Sequence, residues 1–155
     1  MSRAPRVTFV RDAVVAILVL VGLYALSFGV QFPPVQIPGY LLIVGFDLLE
    51  VAFGSAGVNF NLLFAAYIVG LGLVGAAVAH FLRLGGRATD LPQWRLGVAG
   101  ALAIVGTISL LFGLRVFLVS TERTPVLVTG AAGIVLLALA GWFSGLYRIE
   151  FGPTQ

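Results

Sequence analysis

The sequence contains no cysteine and no lysine, one histidine and one methionine. Without cysteine there is no disulfide exchange, no thiolate nucleophile and no cysteine-ligated iron–sulfur cluster. Without lysine there is no Schiff-base chemistry, which excludes a lysine-linked retinal or pyridoxal group. His80 alone cannot form a bis-histidine haem within one chain, and Met1 is the sole methionine. Charge is also scarce. Asp, Glu, Lys and Arg together make up 10% of the 155 residues, where a soluble domain carries about 25%. So few charges cannot cover a water-soluble fold of this size.

What is present is apolar: 60% of the residues are hydrophobic. Crossing the hydrocarbon of a bilayer takes roughly 20 apolar residues as a helix. Four stretches reach that length, at about 13–30, 58–81, 96–119 and 125–147. In lipid a backbone must satisfy its own hydrogen bonds, so each is read as a helix. The chain is therefore expected to be a single all-α membrane domain over 1–155, a four-helix transmembrane bundle. Thr124-Pro125 predicts the start of the last helix. Gly85-Gly86 would stop the second, and Leu91-Pro92 closes the loop before the third. A cleaved signal peptide is the alternative for the first run, with Ala25-Leu26-Ser27 as a small-residue site. That apolar run is long for a signal and continues past the site.

The segment between the first two spans is unlike the rest. Pro33, Pro34 and Pro38 predict an extended stretch from Gln31. Residues 40–53 are apolar but too short to span, and they carry Asp47 and Glu50. A short interfacial or re-entrant helix is expected there. A fifth span would draw two carboxylates into lipid at about 2–3 kcal/mol each.

All nine basic residues are arginine. With four spans, Arg3, Arg6, Arg11, Arg83, Arg87, Arg95 and Arg148 fall on one side, and Arg115 and Arg123 on the other. The positive-inside rule then predicts a multi-pass cell-membrane protein with both termini in the cytoplasm. Trp94, Trp142 and Tyr147 would form an aromatic belt at one interface. The arginines form no continuous basic face, so nucleic acid is not an expected partner.

Small residues recur at helical spacing. Gly72 and Ala76, then Ala103, Gly106, Ser109 and Gly113, then Gly133, Gly141 and Gly145, are candidates for helix packing. Helices in lipid associate by close contact, which small residues permit. The plain alternative is that glycine and alanine are common in membrane helices.

Chemistry is sparse. The centres of the four predicted spans hold no ionisable carboxylate or base, and their polar groups include Tyr24, Ser27, Tyr67, Thr107 and Ser109. This argues against a proton pump or ion-coupled transporter. Arg115 either snorkels to the outer interface or pairs with Asp47 or Glu50. Asp47 and Glu50 are a weak cation site, since hard cations take six or more oxygens. Ser144 lacks a base or oxyanion donors at any telling spacing. No catalytic residue, cofactor or metal site is expected. Two functions remain. One is a structural or accessory subunit of a membrane complex or homo-oligomer. The other is a small oligomeric channel or transporter for a neutral or weakly polar solute, lined by Tyr67, Thr107 and Ser109.

Overall fold

A computed structural model describes residues 5–84 and 92–147, and every regular element among them is helical. In chain order these are α1 (Pro5–Gly29), α2 (Pro33–Phe53), α3 (Phe60–Leu84), α4 (Trp94–Val119) and α5 (Thr124–Phe143), with one 3-10 turn at Gly57–Asn59. All five α-helices are long and apolar enough to cross a membrane, which is consistent with a multi-pass membrane protein. The predicted Gly85-Gly86 stop and Arg3, Arg87 and Arg148 lie outside the described residues.

The count of such helices is five, not the four expected. The difference lies in the proline segment, which is not extended. Pro33 and Pro34 occupy the first turn of α2, where no N–H is needed and the fixed φ already suits a helix. Pro38 sits inside the same helix. The 40–53 segment is thereby lengthened to 21 residues.

α1 and α3 are antiparallel neighbours. Ile17 packs on Gly72, Ala16 on Gly75, and the Tyr24 ring on Phe64 at 4.9 Å. α4 runs beside both: Gly97 meets Val15 of α1, and Gly100 meets the backbone of Gly75 in α3. α4 and α5 form the most extensive helix pair. The start of α1, the end of α3, the start of α4 and the end of α5 gather at one end of the bundle, tied by Arg11 to Gln93, Asp12 to Arg83, and Arg95 to the Trp142 carbonyl.

α2 sits at the opposite end. It begins three residues after α1, and six residues join it to α3. Its Gly39 lies on Leu23 and Ser27 of α1, and its Phe46 ring packs on Phe60 and Phe64 at 5.3 Å each. Both ends of α2 therefore connect to the end where α1 finishes and α3 begins. Leu41, Leu42 and Phe46 are its buried face, while Val51 and Phe53 are 78% and 86% exposed.

Large apolar side chains also cover the outside of the bundle, among them Leu18, Leu62, Leu73, Leu111, Ile134 and Val135. Inside, Leu20, Leu42, Phe64, Ile68 and Val105 form the core, and the closest helix contacts are made at small residues. A Cβ on Gly106 would press on Leu137 and the Gly133 carbonyl oxygen, and one on Gly113 would lie 2.9 Å from Thr129 Oγ1. This is the close approach expected of helices that gain nothing from leaving water.

Candidate functional site

The most polar point of the interior is at the arginine-rich end. α1 starts at Pro5 instead of near residue 13, so Asp12 is two turns inside a helix and not at its edge. Its side chain is 0% exposed. Arg11 Nη2 approaches Asp12 Oδ1 at 3.1 Å, and the last turn of α3 brings Arg83 Nη1 onto Asp12 Oδ2. Arg11 also donates to the side-chain oxygen of Gln93, beside the start of α4. Gly97 makes room for this meeting, since a Cβ there would lie 3.1 Å from the Asp12 carbonyl oxygen and 2.9 Å from Val15. One carboxylate thus faces two guanidinium groups. Arg11 Nε and Arg83 Nη2 are buried without a hydrogen-bond partner. The cluster ties three helices together and leaves an excess positive charge with donors to spare.

Aromatic rings surround this end. Arg95 donates to the Trp142 carbonyl at 3.1 Å and lies 5.5 Å from the Trp142 ring centre. Trp94 meets Phe143 edge-on, and Tyr147 folds back onto Gly141. Trp94, Trp142 and Tyr147 are thus brought to one end of the bundle. His80 is half-buried one turn before Arg83, edge-on to Phe81.

The second feature is an apolar groove of about 500 Å³ between α2, α3 and α4, lined by Gly45, Leu48, Tyr67, Gly70, Leu111 and Phe112 among others. The Tyr67 hydroxyl is buried without a partner beneath Gly45. The other two residues expected to share a lining with it do not. Thr107 is exposed, faces a separate shallow pocket, and donates to its own helix at Ala103 (2.7 Å). Ser109 is 0% exposed and donates to the Thr129 carbonyl across the α4–α5 interface at 2.6 Å. Tyr67, Thr107 and Ser109 therefore have three different surroundings.

The expected pairing of Arg115 with Asp47 or Glu50 is not among the ion pairs of the described residues. Arg115 and Asp47 are exposed. Glu50 serves its own connection instead: its Oε1 accepts the Ala56 N–H at 2.7 Å and the Ser55 hydroxyl at 3.4 Å, closing the chain after α2.

The packing candidates divide. Gly72 and Ala76 lie buried in α3, where Gly72 meets α1. Gly106, Ser109, Gly113 and Gly133 lie buried in the α4–α5 contact. Gly141 seats the Tyr147 ring, and Ala103 lines the shallow pocket beside Thr107. Gly145 is no helix contact. With φ of 76° it ends α5, as Leu146 N–H bonds the Gly141 carbonyl at 2.9 Å and Gly145 N–H the Trp142 carbonyl at 3.1 Å. This is the left-handed glycine stop of a Schellman motif, and it shortens the expected span from 147 to 143.

Sequence reasoning missed Asp12, Gly97, Gly100 and Gly45. A carboxylate followed directly by an apolar run reads as a helix boundary, so Asp12 gave no signal of burial. Gly97 and Gly100 precede the stripe that starts at Ala103, and only the neighbouring helices show that they are contact positions. The chain matches no protein-family model, no curated protein and no solved structure.

Proposed function

We propose that the chain is a multi-pass membrane protein that acts by packing, as a structural or accessory subunit of a membrane complex or homo-oligomer, without catalytic chemistry of its own. The observation that carries this reading is the meeting of α3 and α4 backbone to backbone at Gly75 and Gly100. Around it, the buried hydroxyls of Ser27, Ser109, Thr129 and Ser144 are spent on nearby carbonyls. That leaves few free polar groups in the interior, and the groove beside Gly45 and Gly70 is apolar apart from the Tyr67 hydroxyl. A solute channel would need Tyr67, Thr107 and Ser109 to share one path, and their separate surroundings weigh against it.

In this reading α1, α3, α4 and α5 cross the bilayer and α2 lies in the outer part of it. Support comes from the connections. α2 is about 31 Å long at 1.5 Å per residue, and six residues reach at most about 20 Å. If α2 ran the full depth, that link could not return to the start of α3. Arg6, Arg11, Arg83 and Arg95 at one end, against Arg115 and Arg123 at the other, support a cytoplasmic side for the former under the positive-inside rule.

One preparation tests both parts. The natural chain has no cysteine, so Phe32→Cys, Ser55→Cys and Ser120→Cys each give a single label site. All three are expected to react with a membrane-impermeant maleimide from the outside. Labelling of Ser55→Cys only after permeabilisation would make α2 a full span. The native mass in mild detergent should exceed that of one chain, through copies or a stoichiometric partner. A bare monomer would overturn the subunit reading.

A further inference from the structure

The geometry points to the Asp12–Arg11–Arg83 rim as a binding site for the phosphate of an anionic phospholipid headgroup. This rests only on the bundle being in a bilayer, and it stands or falls apart from the subunit reading.

The argument begins with charge. Two guanidinium groups surround one carboxylate, a net +1 that nothing else among the described residues neutralises. The Asp12 side chain is fully buried, whereas Arg11 and Arg83 keep 27% and 21% of their side chains exposed. Both side chains thus run from the buried carboxylate to the rim, and the donors left without a partner lie buried beside the carboxylate, where a phosphate reaches them only if the side chains rotate outward. Their unused donors, Arg11 Nε and Arg83 Nη2, come from two different helices. Guanidinium edges match phosphate oxygens in pairs, with bonds about twice as strong as neutral ones.

Position selects the source of the phosphate. Trp94, Trp142 and Tyr147 are exposed at the same end, the depth at which amphipathic rings meet headgroups. Away from the rim, α1 presents Val10, Val14 and Leu18 as exposed apolar surface, which suits acyl chains and not a hydrated free anion. Basic pockets between helices at the cytoplasmic side are the general form of such sites.

The two tryptophans are the only ones in the chain, and both report on this end. The protein is reconstituted in zwitterionic vesicles containing either brominated phosphatidylglycerol or brominated phosphatidylcholine, and tryptophan quenching gives the relative affinity of the two lipids. Wild type is expected to prefer the anionic lipid by about fivefold. Arg83→Gln should bring the preference close to one. Asp12→Asn should raise it above wild type by several-fold, because the competing carboxylate is gone. Arg6→Gln, which removes an exposed arginine of α1, should change it little. If Arg83→Gln does not fold, Arg11→Gln and Asp12→Asn carry the test, with helicity by circular dichroism as the check. Equal losses for Arg6→Gln and Arg83→Gln would reduce the effect to diffuse charge and overturn the site. So would a preference that Asp12→Asn fails to raise. Displacement of the lipid by millimolar inorganic phosphate would assign the site to a free anion instead.

Discussion

Gly100 is where α4 meets the backbone of α3, and replacing it by alanine tests whether that contact holds the bundle. An ideal Cβ at Gly100 would lie 2.8 Å from the Gly75 carbonyl carbon and 3.1 Å from its Cα. Comfortable carbon–carbon contacts are about 3.5–4.0 Å, so the helices must part by roughly 1 Å. The obstacle is main chain, and no side chain can rotate out of the way. A gap of that size forfeits a quarter to a half of the dispersion well for atoms on either side. Overpacking of this kind costs about 1–3 kcal/mol. The natural control is Gly130→Ala in α5, where a Cβ would have nothing within 4 Å. Both variants gain the same helix propensity, about 0.5–1 kcal/mol, so their difference isolates the packing cost. A gap of about 2 kcal/mol corresponds to roughly a thirtyfold difference in the unfolding equilibrium. The assay is SDS titration of the protein in mild detergent, followed by helical circular dichroism. If Gly100→Ala proves as stable as Gly130→Ala, the α3–α4 contact is not close and the packing argument fails.

Two further substitutions probe the helix ends. Gly145→Ala forces a Cβ into the left-handed region at the end of α5 and should cost about 1–2 kcal/mol, whereas Gly145→Asn should cost less. Amide exchange of Ser144–Leu146 would show it, and identical exchange in the two variants would refute the glycine-stop assignment. Glu50→Ala removes the acceptor for the Ala56 N–H and should speed proteolysis between α2 and α3, while Arg115→Ala should leave it unchanged. An equal effect of both would restore the ion pair expected from sequence.

Most of the helices were legible because hydrocarbon imposes a length. An apolar run of about 20 residues has few alternatives to a helix, and all five described helices lie within a few residues of their expected positions at one end or both, α1 and α2 at their C-terminal ends alone. The exceptions have physical causes. Proline at 33 and 34 suggests a breaker, but the first helical turn has no use for the missing N–H. Gly145 continues the spacing of Gly133 and Gly141 and so suggests a packing residue, and only its positive φ reveals the stop. Ser109 and Thr107 are two residues apart and look alike in sequence, yet a helix turns them about 200° from each other. One tethers α5 and the other meets the exterior.

The polar groups also explain why α2 differs from its neighbours. α1 and α3 are pinned at one end by Asp12 and Arg83, and α4 and α5 by Ser109 and Thr129 deeper in the bundle. Each pin sets the height of one helix against another, and the glycine contacts then set the distance. Without a pin, an apolar helix face is held by van der Waals packing alone. Among the described residues α2 makes no side-chain hydrogen bond to another α-helix. Gln36 reaches the Val30 carbonyl at 2.5 Å before it, and Glu50 holds the connection after it. α2 is thus fixed at its two ends, by the close approach of Gly39 to α1, and by packing at Leu41, Leu42 and Phe46, while Gly45 rests on Tyr67, whose hydroxyl finds no partner. A groove at this place follows from that arrangement. Four helices are drawn together by polar pins and small residues, and the fifth closes over them only as far as its two short connections allow.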